Sequence, residues 1–201
     1  MATRSPIIYD SYRYALANRW DPTHLRRIDE LLPISPPHKV LEVGCGRGHL
    51  TSRLAERGID IVGIDSNPNA SELAETDRVR TMHAERLEFD DDTFDFILSV
   101  HAIEHIPPLG DALAEVARVL RPGGRALLIY PAEPIRGMYA IPTSIILHGR
   151  PWKAREVHWH KLWPKKLRRL TAGIGLIETH SEFNLIRSPQ FISIFEKRVA
   201  D

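Results

Sequence analysis

From Val40 to Tyr130, short apolar runs alternate with polar segments of helical period. The runs are KVLEV, IDIVGID, RVRTMH, FDFILSV and RALLIY. Their apolar positions follow one another rather than alternating, which suits strands covered on both faces. The helical segments between them suit crossovers, so the pattern predicts a parallel α/β sheet. HLTSRLAERG puts Leu50, Leu54 and Ala55 on one helical face and stops at Gly58. DALAEVARVL repeats the spacing with Leu113, Val116, Ala117 and Leu120, and RPGG then ends the helix and permits a turn into the next strand.

Two helices are predicted ahead of this unit, the second opening at DPTHL with Asp21 as N-cap and Pro22 at the first helical position. Past Tyr130 the rhythm breaks. Residues 131–163 hold four of the fifteen prolines and three of the four tryptophans, with no clear period. A helix restarts at PKKLRRLTAG. LIETHSEF and FISIFEKR follow as an antiparallel pair, because NLIRSPQ is too short for a crossover helix.

At 201 residues the chain is expected to fold as one domain with a substantial core. A hydrophobic content of 43% and a charged content of 26% are ordinary for a globular chain, and a net charge of +1 gives no bulk field to attract nucleic acid. Cys45 is the single cysteine, which excludes an intrachain disulfide and suits a reducing compartment. Ser5–Asp21 has no apolar signal-peptide region, and MYAIPTSIILHG is too short for the ~20 residues that span a bilayer. The expectation is a cytoplasmic protein without a transmembrane segment.

The chemistry concentrates at VLEVGCGRGHLT. Gly44, Gly46 and Gly48 follow a strand and open a helix, and Asp65 ends the next strand, where a carboxylate can accept from both hydroxyls of a ribose. A dinucleotide site needs G-x-G-x-x-G with the pyrophosphate at the helix N-terminus. Here the spacing is G-x-G-x-G, and Glu42 just before it would repel a pyrophosphate while suiting an ammonium group. No G-K-[ST] follows, which excludes a Walker phosphate loop. A ribose-bearing, phosphate-free, cationic ligand fits these residues best.

VLEVGCGRGHLT, VGID, HAERLEFDDDTFDFILSVHAIEHI and LAEVARVLRPGGRALL together resemble, in order and spacing, the successive motifs of class I S-adenosylmethionine-dependent methyltransferases of the small-molecule type. The later HWHKLWPKKLRRLTAGIGL is similar to the segment before that family's C-terminal hairpin. The resemblance implies a Rossmann-like, doubly wound seven-stranded sheet, mostly parallel with an antiparallel last strand. It divides the chain into N-terminal helices (1–37), a cofactor-binding core (38–130), an acceptor-pocket insertion (131–163), and a C-terminal helix with strand hairpin (164–201). S-adenosylmethionine is the implied cofactor and S-adenosylhomocysteine the product. The implied contacts are Glu42, Gly44, Cys45 and Gly46 around the methionine part and Asp65 with Ser66 at the ribose. Ala84 and Glu85 are implied at the adenine, with Val100 and His101 beside the cofactor. Where family members often carry Asp-Ala for the adenine, this chain has His83-Ala84, so the usual carboxylate acceptor is missing and His83 or Glu85 is the candidate to replace it.

HAIEH spaces His101, Glu104 and His105 as neighbours on one helical face, and His158 and His160 return from HWH. Neutral imidazole can take a proton from an acceptor hydroxyl, so His101, His105 and His158 are the candidate catalytic residues. A metal is conceivable, as in RNA methyltransferases with an E-x-x-E-H motif, but the first acid of that motif is His101 here, and no metal is expected. Cys45 reads as a small buried residue and EFDDDTFD as a solvated acidic turn. Arg150 to Arg169 carries eight Lys/Arg against Glu156, with Trp152, Trp159 and Trp163 between them. That composition suits a solvated face and leaves peripheral lipid contact open; with the apolar stretch upstream it favours a hydrophobic acceptor over RNA. The expected activity is methyl transfer to a small hydrophobic molecule, under a cover formed by 131–163 whose Met138, Tyr139, Ile141 and Ile145 line the pocket. The alternatives are a cofactor-binding module without catalysis and a metal-assisted RNA methyltransferase.

Overall fold

The computed structural model describes residues 11–17, 21–185 and 188–199. Its centre is a seven-stranded sheet of β1 (Lys39–Val43), β2 (Asp60–Asp65), β3 (Val79–Thr81), β4 (Phe94–Val100), β5 (Leu120–Pro131), β6 (Leu176–Asn184) and β7 (Gln190–Lys197). They lie in the order β3-β2-β1-β4-β5-β7-β6. Every pairing among β1 to β5 is parallel, and β7 runs antiparallel to both of its neighbours.

Both faces are covered over β1, β4 and β5, as their apolar runs require, whereas β3 from the RVRTMH run is an edge strand left largely exposed. Leu41, Val43, Ile97 and Leu128 share one core with Leu113 and Val116 of α5 (Leu109–Val119) and Leu167 of α8 (Pro164–Thr171). Val40, Phe96, Leu98 and Leu127 share the other with Ile28 of α2 (Pro22–Leu31) and Leu50 and Leu54 of α3 (His49–Ala55). Asp21 caps α2 as the sequence predicts, its side chain accepting from the Thr23 N–H at 3.0 Å. The remaining helices are α1 (Tyr12–Ala17), α4 (Pro68–Glu72), α6 (Ile141–His148) and α7 (Ala154–Val157). No helix of the described residues is long and apolar enough to cross a membrane.

Three expectations change. Residues 131–163 are not structureless, since they contain α6 and α7. Pro142 sits in the first turn of α6, where its missing N–H breaks no helical bond, and Gly149 closes the helix at φ 65°. His101, Glu104 and His105 do not share an α-helical face. His101 stands after β4 at φ 52°, and a short 3₁₀ turn, Ile103–His105, brings the other two beside it. Of the apolar residues expected to face the acceptor, Ile141 and Ile145 point outward, 37% and 49% exposed.

Candidate active site

The strand order reverses between β1 and β4, and open α/β sheets bind ligands in the crevice beyond the strand ends at that switch point. A cleft of about 680 Å³ opens there. Its wall includes Gly44 after β1, Asp65 at the end of β2 with Ser66 after it, Ala84 and Glu85 after β3, and Val100 at the end of β4 with His101 after it.

The Gly loop is held by geometry that its sequence imposes. Gly44 adopts φ 74°, and a Cβ there would lie 2.2 Å from that of Ala102. Only glycine lets the loop pass this close to the residue after His101. The N–H groups of Gly44 and Cys45 both donate to the Ile64 carbonyl, at 2.8 and 2.9 Å. Asp65 then locks the loop to β2: Oδ2 accepts from the Gly46 N–H at 2.8 Å and Oδ1 from the Asn67 N–H at 2.8 Å.

Three residues expected at the cofactor do not line the cleft. Glu42 lies beneath the loop, 4% exposed, accepting from the Thr51 hydroxyl at 2.5 Å. Burial pushes its pKa up to about 7, against the lowering effect of the Thr51 bond. Cys45 turns its thiol inward against Gly63, and burial pushes that thiol up. Gly46 uses its N–H on Asp65. These residues shape the loop from below.

A second cavity, about 280 Å³, adjoins the first, and Tyr14, His101 and His105 line both. Its other walls come from Glu104, from Tyr139, Ala140 and Thr143 around the start of α6, and from Val157 and His158. Four histidine and glutamate side chains meet here. Glu104 Oε1 lies 3.8 Å from His101 Nδ1 and 3.8 Å from His105 Nε2. The His105 and His158 rings stand edge to face with centroids 4.8 Å apart. His158 Nδ1 is 2.9 Å from Glu133 Oε1, and Glu133 also accepts from the Gly137 and Tyr139 N–H groups.

The charges follow from these contacts. Burial works to raise the Glu104 carboxyl, but the surrounding imidazoles outweigh it and hold Glu104 well below the usual carboxylate range. Burial would depress His101, yet the Glu104 carboxylate beside it wins and raises it. For His105 burial prevails and favours the neutral ring. Glu133 is likewise kept ionised, its burial outweighed by His158 and two backbone donors. Gln190 Oε1 receives His101 Nε2 at 2.8 Å and His24 Nε2 at 3.2 Å, which fixes the His101 ring from the far side.

Tyr14, Glu133 and Gln190 carry no signal in the sequence that marks them as site residues. Tyr14 roofs both cavities from α1, and burial pushes its hydroxyl pKa well up, with Asp65 and Glu104 adding to the effect.

The cleft tests the kind of ligand it can hold. Among the described residues it is lined by Asp65 and Glu85 and by no lysine or arginine. Such a wall opposes a pyrophosphate and suits S-adenosylmethionine, which offers ribose hydroxyls and positive charge but no phosphate. The doubly wound sheet, the Gly loop at its switch point and the acid that closes it are the features of the class I S-adenosylmethionine-dependent methyltransferases. A family described as "Methyltransferase domain" matches residues 9–198, and the chain belongs to it.

An uncharacterised methyltransferase of Mycobacterium bovis is 40% identical over 107 residues, covering 51% of this chain and 43% of that protein. The chain thus spans less than half the length of that relative. A ubiquinone biosynthesis O-methyltransferase of Rhizobium rhizogenes is 29% identical over 150 residues, covering 69% of this chain and 59% of that protein. Among solved structures, the YcgJ protein of Bacillus subtilis superposes with a TM-score of 0.69 at 19% identity, over 90% of this chain and all of that one.

Proposed function

We propose that this chain methylates a small, hydrophobic acceptor held in the second cavity. The observation that carries this reading is the wall shared by the two cavities, where Tyr14, His101 and His105 face both. When bound in the cleft, S-adenosylmethionine supplies a methyl group on a sulfonium, a strong electrophile that needs alignment more than activation.

The protein's part is then to bind, orient and exclude water. Asp65 holds the ribose, Gly44 lets the ligand approach the backbone, and Ala84 with Glu85 flanks the adenine. Pro131, Tyr139, Ala140 and Val157 give the second cavity an apolar side, and the histidines give it a polar one. His101 takes the proton: the acceptor's O–H or N–H bond breaks, its electron pair stays on the acceptor atom, and the proton passes to the imidazole. Residues 131–163 act as the cover. Exposed Ile145, Ile146 and Trp152 on that cover, with Arg150 and Lys153 close by in the chain, suit contact with a lipid surface supplying an apolar acceptor. The similarity to an O-methyltransferase of ubiquinone biosynthesis is consistent with such an acceptor.

The test is release of S-adenosylhomocysteine from S-adenosylmethionine with pools of small acceptors. Turnover that depends on acceptor and falls at least ~100-fold in His101→Ala is expected, in line with the 10²–10⁴-fold worth of a positioned acid–base group. Cofactor binding without turnover for every pool would leave a binding module.

A further inference from the structure

We propose that Glu104, His105 and His158 form a binding site for one divalent first-row transition ion, with an open coordination position facing the second cavity. One oxygen or ring nitrogen from each residue lies within 4.8 Å of those from the other two. The 3₁₀ turn after β4 supplies Glu104 and His105, and the segment after α7 supplies His158.

The two imidazoles are set in the tautomer a metal needs. His105 Nδ1 is 2.8 Å from the Val157 carbonyl oxygen, which can only accept, so Nδ1 carries the proton and Nε2 the lone pair. His158 Nδ1 stands 2.9 Å from the Glu133 carboxylate, which fixes the same arrangement. A carbonyl and a carboxylate behind the ligating rings are the supports that orient histidine ligands and raise their basicity.

The independent sign of a missing partner is on the third residue. Glu104 is 1% exposed, and its Oε2 is buried without a hydrogen-bond partner among the described residues. A buried carboxylate oxygen left that way is costly, and a cation satisfies it. Two imidazoles and one carboxylate suit zinc, iron(II) or cobalt(II) better than magnesium or calcium, which prefer all-oxygen shells. Ligand atoms around such an ion stand about 3.3 Å apart for bonds of ~2.0–2.1 Å, so the cluster, whose ligand atoms lie within 4.8 Å of one another, closes by up to about 1.5 Å when the ion binds.

The ion would tie the cover to the end of the sheet, because His158 belongs to one and Glu104 with His105 to the other. Its open position would bind an oxygen of the acceptor, which narrows the substrate class to molecules methylated at oxygen. That role rests on the proposed methyl transfer; the site itself does not.

The untagged full chain, stripped with chelator, is titrated with Co(II) and followed by its visible absorption, with Zn(II) as competitor. One ion per chain is expected, weakened at least ~10-fold in Glu133→Gln, the usual size of a lost outer-shell partner, and more in His158→Ala or Glu104→Gln. His180→Ala, remote from the cluster, serves as the control that binds as the wild type does. S-adenosylmethionine affinity reports whether each variant is folded, and Glu133→Gln keeps the test open if a ligand variant is not. No saturable Co(II) binding at millimolar concentration, or equal binding in all variants, overturns the site. If Co(II) binds but no acceptor is methylated, the site stands and the proposed function fails. If turnover survives chelation and no ion binds, the reverse holds.

Discussion

Asp65 Oδ2 accepts the Gly46 N–H at 2.8 Å, so the acid that ends β2 also clamps the loop that follows β1. Asp65→Ala therefore removes the loop's anchor and, on the proposed function, the ribose acceptor with it. S-adenosylmethionine binding should weaken by ~30-fold or more, the equivalent of about 2 kcal/mol for hydrogen bonds to a charged group. Calorimetry on a folded variant with unchanged affinity would show that the ribose lies elsewhere.

Gly44→Ala places a Cβ 2.2 Å from that of Ala102, at a φ of 74°. Overpacking of ~1–3 kcal/mol adds to left-handed strain of ~1–2 kcal/mol, so a loss of about 2–5 kcal/mol is expected in denaturant unfolding. A neutral substitution would mean that Ala102 moves freely, and with it the backbone next to His101.

Glu42 prefers its neutral form in the fold. Its carboxyl is raised to about 7, so its contribution is fully present below the unfolded value of ~4.3 and lost as pH rises through about 7. Between pH 5 and 8 the wild type should lose stability relative to Glu42→Gln, by at most roughly 3 kcal/mol at 1.36 kcal/mol per pKa unit. Thermal unfolding of both proteins across that range measures the difference. Parallel curves would mean that water reaches Glu42.

Glu133→Ala takes the acceptor from His158 and from the Gly137 and Tyr139 N–H groups together. Local destabilisation of about 3 kcal/mol is expected, given ~1–3 kcal/mol for a buried donor left unmade. Hydrogen exchange should accelerate through 133–160 while cofactor affinity stays within about 2-fold, since Asp65 and the Gly loop lie on the other side of His101. Acceleration throughout the sheet instead would make the segment part of the global core.

The strands of the sheet were legible because each is a local pattern: KVLEV and FDFILSV announce burial on both faces without reference to anything distant. The Gly loop and Asp65 were legible for the same reason, standing some twenty residues apart in one β-α-β unit. α6 was hidden because Ile141, Ile145 and Ile146 are exposed, which leaves its apolar residues without the one-sided stripe that marks a packed helix. The polar wall could be guessed only in part. His101, Glu104 and His105 are neighbours in sequence, but Glu133 meets His158 across 25 residues and Gln190 meets His101 across 89. No periodicity encodes such pairs. Glu42 stands next to the loop in sequence, but the partner that the structure gives it, Thr51 in the first turn of α3, is not marked by any pattern.

The place of β7 has a consequence for how the protein is made. It is the last described strand to leave the ribosome, yet it lies between β5 and β6 and supplies Gln190, the acceptor for His24 and His101. Until synthesis passes residue 197, β6 has no strand partner and His101 Nε2 lacks its Gln190 acceptor, although the loop of Gly44 and Gly46 and the Asp65 that clamps it are already complete. A nascent chain thus carries the cleft and the cluster of Glu104, His105 and His158 before the Gln190 acceptor that fixes the His101 ring, and translation order separates the two in time.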